Sequence, residues 1–213
     1  GYWQFYPSGD DSQGILPVWG YGTITESKCA DLPEGERLYG YFPCGSEAVL
    51  QVGKVSARGF NEVSEHRAAL AAVYNNYTRI ATDEPDWTGM EGLRMLLTPV
   101  FLTSYLLYDY ELDNDCFGAD QILVGSASSK TAIGMASMLH DDPNIKARMV
   151  GLTSPRNKAF VESLGFYDEV VTYDAISQMD ASVPSAIVDM SGNGDVIAAL
   201  HNHFKTALKD SCM

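Results

Sequence analysis

The sequence is short of cysteine, and the four cysteines it has are widely spaced. They stand among 213 residues without any C-x-x-C pair. A zinc site assembled from neighbouring ligands needs closer spacing, and a disulfide framework is typical of much shorter secreted chains. We therefore expect no metal centre. We interpret the cysteines as reduced thiols of an intracellular compartment, either the cytoplasm or an organelle stroma.

Basic residues are also scarce. The chain has 14 Lys and Arg against 28 Asp and Glu, which gives a formal net charge of −14 at pH 7. A surface of this sign repels nucleic acid and anionic membranes, so neither is an expected partner. An anionic ligand has to be held by a local arrangement of donors, because the overall field works against it.

No hydrophobic run reaches the length of a membrane span. The most apolar stretch, residues 96–110, is interrupted by Pro99, Thr103 and Ser104. A span needs about 18 or more predominantly apolar residues, so we expect no transmembrane segment. The first residues do not have the pattern of a signal peptide, and Gly1 stands in what reads as the middle of a domain.

The patterns of several other sites are missing as well. His201 and His203 are two residues apart on a predicted helix and face different directions, whereas a helical metal site needs ligands at i and i+4. The acidic run 109–115 departs from a calcium loop at its ligand and glycine positions, and we interpret it as a solvated linker. There is no G-x-S-x-G nucleophile elbow.

What the sequence does have is a change of pattern along its length. Residues 1–80 combine short alternating runs with Gly and Pro turn signals, which predicts a small twisted β domain whose last part, from residue 64, has helical periodicity. Residues 81–118 predict a helical connection. From 119 to 213, apolar runs alternate with helical segments, as in a parallel sheet with right-handed crossovers. We predict an α/β fold in which a Rossmann-like parallel sheet follows the β domain.

The predicted parallel sheet contains four strands and ends in a helix. The strands are expected at 121–124, 148–152, 169–172 and 185–190, and the last helix at 194–209. Dinucleotide-binding sheets often have about six strands. We therefore expect the domain to be cut short at its C-terminus.

The stretch GSASSKTAIG, residues 125–134, lies between the first of these strands and its helix. Lys130 and Thr131 fit the end of a P-loop, but Val124 and Ser129 replace the two glycines that a P-loop requires. A dinucleotide-binding turn needs small residues here, with the pyrophosphate at the helix N-terminus, and we favour that interpretation over a plain turn that binds nothing. The candidate phosphate-binding residues are Ser126, Ser128, Ser129, Lys130 and Thr131.

The next strand ends without an acid, in VGLTSPRNK. NAD sites usually place Asp or Glu there, whereas hydroxyls and cations suit the 2′-phosphate of NADP. We therefore predict that NADP is the cofactor. Thr153, Ser154, Arg156 and Lys158 would bind its 2′-phosphate, and Tyr173, at the end of the third strand, would close the same pocket. The alternative is that the arginine and the lysine are ordinary exposed helix residues.

These stretches resemble a known family. PVWGYGTI, VSARGF, HRAALAAVYNNY, SASSKTAIG, GLTSPRNKAFVESLG and IVDMSG are similar to the DUF2855 proteins, which are related to the zinc-free, quinone-oxidoreductase-like branch of the medium-chain dehydrogenase/reductase superfamily. The resemblance implies a partial GroES-like β domain, family members that extend beyond both ends of this sequence, and a nicotinamide lined by Met190 and Ser191. The catalytic zinc ligands of the superfamily have no counterpart. The glycines of its phosphate turn are replaced by Ser126, Ser129, Lys130 and Ala132.

Polar and aromatic residues of VYNNYTR, residues 73–79, fall near the cleft expected between the two domains. A phenol or amide there would orient a carbonyl or donate the proton that follows hydride transfer, so Tyr74, Tyr77 and Asn75 are candidate catalytic residues. The alternative is that both tyrosines are core aromatics.

Two hypotheses for the function follow. The first is a zinc-independent, NADPH-dependent oxidoreductase-like protein that acts on a small carbonyl or enone compound. The second is a catalytically silent structural or assembly subunit with protein partners in a larger complex, such as an organellar or photosynthetic one. The replaced glycines of the phosphate turn favour the second hypothesis.

Overall fold

A computed structural model of the chain describes residues 2–10, 12–83 and 86–213. The chain divides into two units, the first ending at Leu96 and the second running from Leu97 to Met213. The three-part division predicted from the sequence, with boundaries at residues 80 and 118, stays a prediction.

Five short strands form an antiparallel sheet in the first unit. Their bounds are Pro17–Thr23 (β1), Arg37–Pro43 (β2), Val52–Gly53 (β3), Gly59–Glu62 (β4) and Asn76–Arg79 (β5). They lie in the order β1–β2–β5–β4–β3. Single 3-10 turns flank them at Tyr2–Phe5, Glu65–Arg67, Ala72–Asn75 and Ile80–Thr82. The β part of the predicted fold class is confirmed.

The helical periodicity from residue 64 onward does not produce a helix. Two 3-10 turns and then strand β5 occupy this stretch. Tyr77 and Thr78 are aromatic and β-branched, which suits a strand, and the Tyr77 ring packs so closely over Gly40 that a Cβ there would overlap it. Packing against distant strands therefore overrides the local spacing of apolar residues.

A parallel sheet of five strands forms the second unit. The strands are Gln121–Gly125 (β6), Arg148–Thr153 (β7), Glu169–Thr172 (β8), Ser185–Asp189 (β9) and Leu208–Cys212 (β10). They lie in the order β10–β9–β6–β7–β8 with parallel pairings throughout. Numbered from β6, this is the 3-2-1-4-5 strand order of a Rossmann sheet. The Rossmann-like part of the predicted fold class is confirmed.

Four α-helices accompany the strands in the described part of the chain. They span Glu91–Asp113 (α1), Lys130–Asp141 (α2), Lys158–Ser163 (α3) and Gly194–Phe204 (α4). Helix α1 begins in the first unit and ends in the second. Within the described residues, no helix has the length and apolar character that a membrane crossing requires.

Strand β10 corrects the prediction of four strands and a long final helix. Helix α4 stops at Phe204, because Lys205 has the left-handed φ of 47°. The chain then enters a strand with the sequence LKDSC. Among the described strands, β10 pairs with β9 alone, so polar side chains are tolerated and no apolar run marks it in the sequence.

The central strands of this sheet are buried on both faces. On one face, Ile122 and Val124 pack against Met135 and Leu139 of α2. On the other face lies a cluster that includes Leu123, Val150, Leu152, Ile187, Leu200 and Phe204. Helices on both faces are what makes the strands of a parallel sheet read as continuous apolar runs.

A carboxyl group is enclosed in the second unit. Glu111, near the end of α1, is 0% exposed, and neither of its oxygens has a hydrogen-bond partner in the part of the chain that the structure describes. Asp210 of β10 is close enough to act on it electrostatically. Burial and, to a smaller extent, the charge of Asp210 raise the pKa of Glu111 to about 7. Glu111 therefore keeps its proton at mildly acidic pH.

Candidate functional site

The candidate site lies where the strand order of the parallel sheet reverses. Strand β6 is at the centre, with β7 and β8 on one side and β9 and β10 on the other. Ligands of such sheets bind in the crevice beyond the carboxyl ends of the two strands at this switch point, here β6 and β9. The segments that follow these strands are the ones predicted for phosphate and nicotinamide. They approach each other at Ser129 and Met190, whose Oγ and Sδ are 4.0 Å apart.

The turn after β6 begins with a residue in the left-handed region. Ser126 has a φ of 53°, and its amide N–H donates to the Tyr173 hydroxyl at 3.1 Å. Burial raises the pKa of Tyr173, so the phenol stays protonated at neutral pH. Because its oxygen accepts from Ser126, its own proton remains available to a ligand. The structure thus places Tyr173 at the phosphate turn; its predicted role in closing the 2′-phosphate pocket stays a prediction.

The remainder of the turn offers several donors. Ser129 caps α2, its hydroxyl accepting from the Ala132 amide at 3.3 Å. The amides of Ser128, Lys130 and Thr131 have no hydrogen-bond partner within the described residues. Amides at the first turn of a helix, together with the helix dipole, form a site for an anion. The Lys130 side chain is exposed beside them.

Asp189, at the end of β9, was not among the predicted residues. It is 6% exposed, and its carboxylate accepts from the amides of Ser191 and Gly192 at 3.1 and 2.8 Å and from the Ser191 hydroxyl at 2.8 Å. It lies directly opposite Gly125, where a Cβ would overlap Oδ1 and lie 3.0 Å from Cγ. Asp189 therefore fixes the loop that carries Ser191, and it does so only because residue 125 has no side chain.

The end of β7 carries a hydroxyl without a partner. The Ser154 Oγ is buried and has no hydrogen-bond partner in the described chain, while Thr153 before it is almost fully buried. Arg156 is exposed and makes no ion pair with any described residue. Lys158 is exposed and lies 3.9 Å from Glu162. A polar atom that is buried without a partner is costly, and such atoms in native proteins commonly serve a ligand or an ordered water.

The three candidate catalytic residues lie in the first unit. Tyr77 is 0% exposed; its hydroxyl donates to the Tyr41 carbonyl at 2.6 Å and accepts from Arg67 at 3.4 Å. Asn75 also faces Arg67, with its Oδ1 3.5 Å from the guanidinium. Burial raises the pKa of Tyr77 far above its ordinary value. This geometry is that of a core tyrosine.

Tyr74 differs from Tyr77 in its exposure. It is half-buried, and its hydroxyl donates to the Tyr2 hydroxyl at 3.2 Å. Its ring contacts those of Tyr41, Phe5 and Trp19. Burial, together with the neighbouring tyrosines, raises the pKa of Tyr74 to about 12. Tyr74 therefore remains a proton-bearing phenol at neutral pH.

The described residues contain no group of three or more His, Cys, Asp and Glu side chains placed to hold a metal ion.

Comparison with solved structures finds similar chains at low identity. The yhdH oxidoreductase from Salmonella enterica in complex with NADP is 12% identical over 91% of this chain and 53% of its own, with a TM-score of 0.45. The quinone oxidoreductase from Coxiella burnetii is 14% identical over 94% and 62%, with a TM-score of 0.45. CurA from Vibrio vulnificus in complex with NADPH is 12% identical over 93% and 62%, also with a TM-score of 0.45. This chain thus spans between 53% and 62% of their lengths.

No curated protein matches the sequence. The family comparison does give a match, to the proteins described as "Protein of unknown function (DUF2855)", and it extends over residues 1–213. The resemblance predicted from the sequence motifs is therefore confirmed, and the chain belongs to the DUF2855 family.

Proposed function

We propose that the second unit binds NADP and that the protein is an oxidoreductase-like reductase of small carbonyl or enone compounds. The observation that carries this proposal is the buried Ser154 hydroxyl at the end of β7, which has no hydrogen-bond partner among the described residues. Its segment continues to Arg156, which has no ion pair among the same residues. An arginine and a hydroxyl, without an acid, are the groups that suit a ribose 2′-phosphate.

The remaining residues of the site fit the same cofactor. The amides of Ser128, Lys130 and Thr131, which have no partner in the described parts of the chain, would hold the pyrophosphate at the start of α2. Met190 and Ser191 follow β9 and would line the nicotinamide, with the Ser191 loop held by Asp189. When bound, NADPH supplies a hydride to a polarised double bond.

Serines in place of glycines change how the turn would hold the cofactor. The Ser126 amide is already engaged by Tyr173, so the Tyr173 hydroxyl takes the place of that amide as the donor that faces the ligand. The side chains of Ser128 and Asn157 bond to each other at 3.0 Å and support the turn. The proposed site therefore relies on side-chain hydroxyls where a glycine-rich turn relies on backbone amides.

Arg156→Gln tests the cofactor assignment. When the wild-type protein is titrated with each cofactor and nicotinamide fluorescence is followed, we expect a lower Kd for NADPH than for NADH. The substitution should weaken NADPH binding by about tenfold or more, because a charge-assisted contact to the 2′-phosphate is lost, and should leave NADH binding unchanged.

Arg148→Gln is the matched control. Arg148 lies at the other end of β7 and pairs with Glu169 on the surface, where such a pair contributes little. The NADPH affinity of this variant should equal that of the wild type. Absence of NADPH binding to the wild-type protein at millimolar concentration, or an equal loss for NADPH and NADH in Arg156→Gln, contradicts the proposal.

We further propose Tyr74 as the residue that assists protonation of the product, in preference to the enclosed Tyr77. With NADPH and a panel of quinones and enones, Tyr74→Phe should lower kcat by about a hundredfold, the lower end of what a positioned acid contributes. The affinity for NADPH should not change. Tyr21→Phe removes another phenol of the same unit and should retain the wild-type kcat. Equal rates in all three proteins would remove Tyr74 from the mechanism.

One observation favours the second hypothesis, a structural subunit with protein partners. In the second unit, helix α1 exposes six large apolar or aromatic side chains: Leu97, Phe101, Leu102, Tyr105, Leu106 and Tyr110. Exposed apolar surface of this extent is typical of interaction sites. The NADPH titration separates the two functions, since a silent subunit has no need to retain cofactor binding.

A further inference from the structure

A cavity of about 270 Å³ opens on the sheet of the first unit. Its lining includes Lys54 and Arg58, from the loop between β3 and β4, and Asn61, Asn76 and Thr78 of β4 and β5. None of these residues has a part in the function proposed above. The cavity therefore needs an explanation of its own.

The charge of this cavity is opposite to that of the chain. Its charged lining residues are Lys54 and Arg58, and no carboxylate lines it among the described residues. Neither cation forms an ion pair with a described residue. The chain has twice as many acidic as basic residues, so two neighbouring cations without a carboxylate form a local positive potential that the overall composition does not explain.

The sheet register adds neutral donors to the two cations. Asn61 of β4 is directly opposite Asn76 of β5, and residues that face each other across an antiparallel pair project from the same side of the sheet. Thr78, two residues beyond Asn76, projects from that side too. Within the described part of the chain, neither asparagine side chain has a hydrogen-bond partner. Each amide thus has donors available for a ligand.

The loop that carries the cations is held in place by several hydrogen bonds. The Ser56 hydroxyl donates to the Gly59 carbonyl at 3.0 Å and accepts from the Gly59 amide at 3.2 Å. The Arg79 guanidinium donates to the Ser56 carbonyl at 3.3 Å, and Thr82 donates to the Ala57 carbonyl at 2.6 Å. A loop fixed before binding loses less entropy when a ligand arrives.

Lys54 occupies a backbone conformation that rarely suits a lysine. Its φ is 50°, in the left-handed region, where Gly or Asn is accommodated with less strain. Backbone strain of this kind tends to be retained where the side chain has a function.

We propose that this cavity binds the oxyanion of a small molecule, a phosphate or a carboxylate group, between Lys54 and Arg58, with the side-chain amides of Asn61 and Asn76 as further donors. The cavity has room for part of the organic group to which the anion is attached. This site is separate from the nucleotide site proposed for the second unit and does not depend on it.

The test needs a local readout, because the turn at the start of α2 also offers donors to phosphate. We would follow the side-chain amide resonances of Asn61 and Asn76 by NMR at constant ionic strength. Sodium phosphate is added in one arm and sodium acetate in the other. A saturable shift of both amides is expected in at least one arm, and the arm with the lower apparent Kd identifies the class of anion.

Lys54→Asn and Arg58→Gln are the test variants, and Lys28→Asn is the control. Each test variant should raise the apparent Kd by about tenfold, the effect of losing one charge-assisted contact. Asn tolerates the left-handed φ of residue 54, so the Tm of Lys54→Asn should equal or exceed that of the wild type. An unchanged Tm would show that weaker anion binding by Lys54→Asn does not result from unfolding.

Lys28 is exposed in the same unit and does not line the cavity, so its substitution removes one charge and should leave the Kd unchanged. The proposal is overturned if neither arm gives a saturable shift in the wild-type protein. It is equally overturned if Lys54→Asn and Arg58→Gln bind with the wild-type Kd.

Discussion

At pH 8, Glu111→Gln is expected to raise the free energy of unfolding by about 3 kcal/mol. Glu111 is enclosed without a hydrogen-bond partner in the described chain, and its pKa in the folded protein is about 7 against an ordinary 4.5. Ionisation in that position costs free energy that ionisation in the unfolded chain does not. Gln has nearly the same shape and never ionises.

The sign of the effect follows from proton binding. Between pH 4.5 and 7 the folded protein keeps a proton on Glu111 that the unfolded chain has released, so stability falls as pH rises through this range. The wild type and Glu111→Gln should have about the same free energy of unfolding near pH 4.5. The difference should grow as the pH increases and become constant above pH 7. Urea unfolding at a series of pH values measures this difference.

Glu162→Gln is the control for the loss of a carboxylate. Glu162 is exposed on α3 and lies 3.9 Å from Lys158, so its substitution should change stability by only a few tenths of a kcal/mol at any pH. A pH profile of Glu111→Gln that runs parallel to that of the wild type would contradict the raised pKa.

Gly125→Ala is expected to lower the free energy of unfolding by about 3 kcal/mol, in the range of severe overpacking. A Cβ at residue 125 would overlap the carboxylate of Asp189 and lie 3.2 Å from the Cα of Asp189. The carboxylate would have to leave the amides of Ser191 and Gly192, so the loop after β9 would lose its anchor. If that loop lines the nicotinamide, NADPH binding should weaken with stability.

The double variant Gly125→Ala, Asp189→Ala shows whether the collision is the cause. Shortening Asp189 removes the overlapping oxygen. The double variant should therefore lose less free energy of unfolding than the sum of the two single-variant losses, by about 1 kcal/mol or more. Gly92→Ala serves as the control: a Cβ at this position of α1 meets no atom of the described residues within 4 Å, and Ala favours a helix. Additive losses at residues 125 and 189 would show that the glycine is required for another reason.

Sequence patterns were most informative where strands are buried on both faces. The runs at β6, β7, β8 and β9 were predicted because helices pack on both faces of the sheet, which favours apolar residues in the middle of its strands. Strand β10 was not predicted, since its polar sequence LKDSC gives no apolar signal. In the first unit, the residues from 64 onward have spacing that fits a helix, but pairing with β2 and β4 makes Asn76–Arg79 a strand.

In the candidate site, too, residues with a local sequence pattern were predicted and residues placed by long-range pairing were not. Ser154, Arg156 and Tyr173 were predicted because they follow strands, and strand ends are where ligands of this fold bind. Asp189 was not, although it stands in the motif IVDMSG. Its importance arises from its position opposite Gly125, and a pairing between residues so far apart in the chain leaves no local pattern. Tyr77 and Tyr74 likewise have the same chemistry in the sequence, and only burial separates them.

The central position of β6 also has a consequence for the order in which the second unit folds. One side of β6 pairs with β7, which follows it closely, but the other side pairs with β9, and the buried hydrogen bond from Gln121 to Ser185 joins residues 64 positions apart. During synthesis this side of β6 has no partner until the chain has been extended past Asp189. Closing so long a loop is entropically costly and slow. The crevice between β6 and β9 is therefore among the last parts of the unit to form, and no ligand that needs both of its sides can assist the earlier steps.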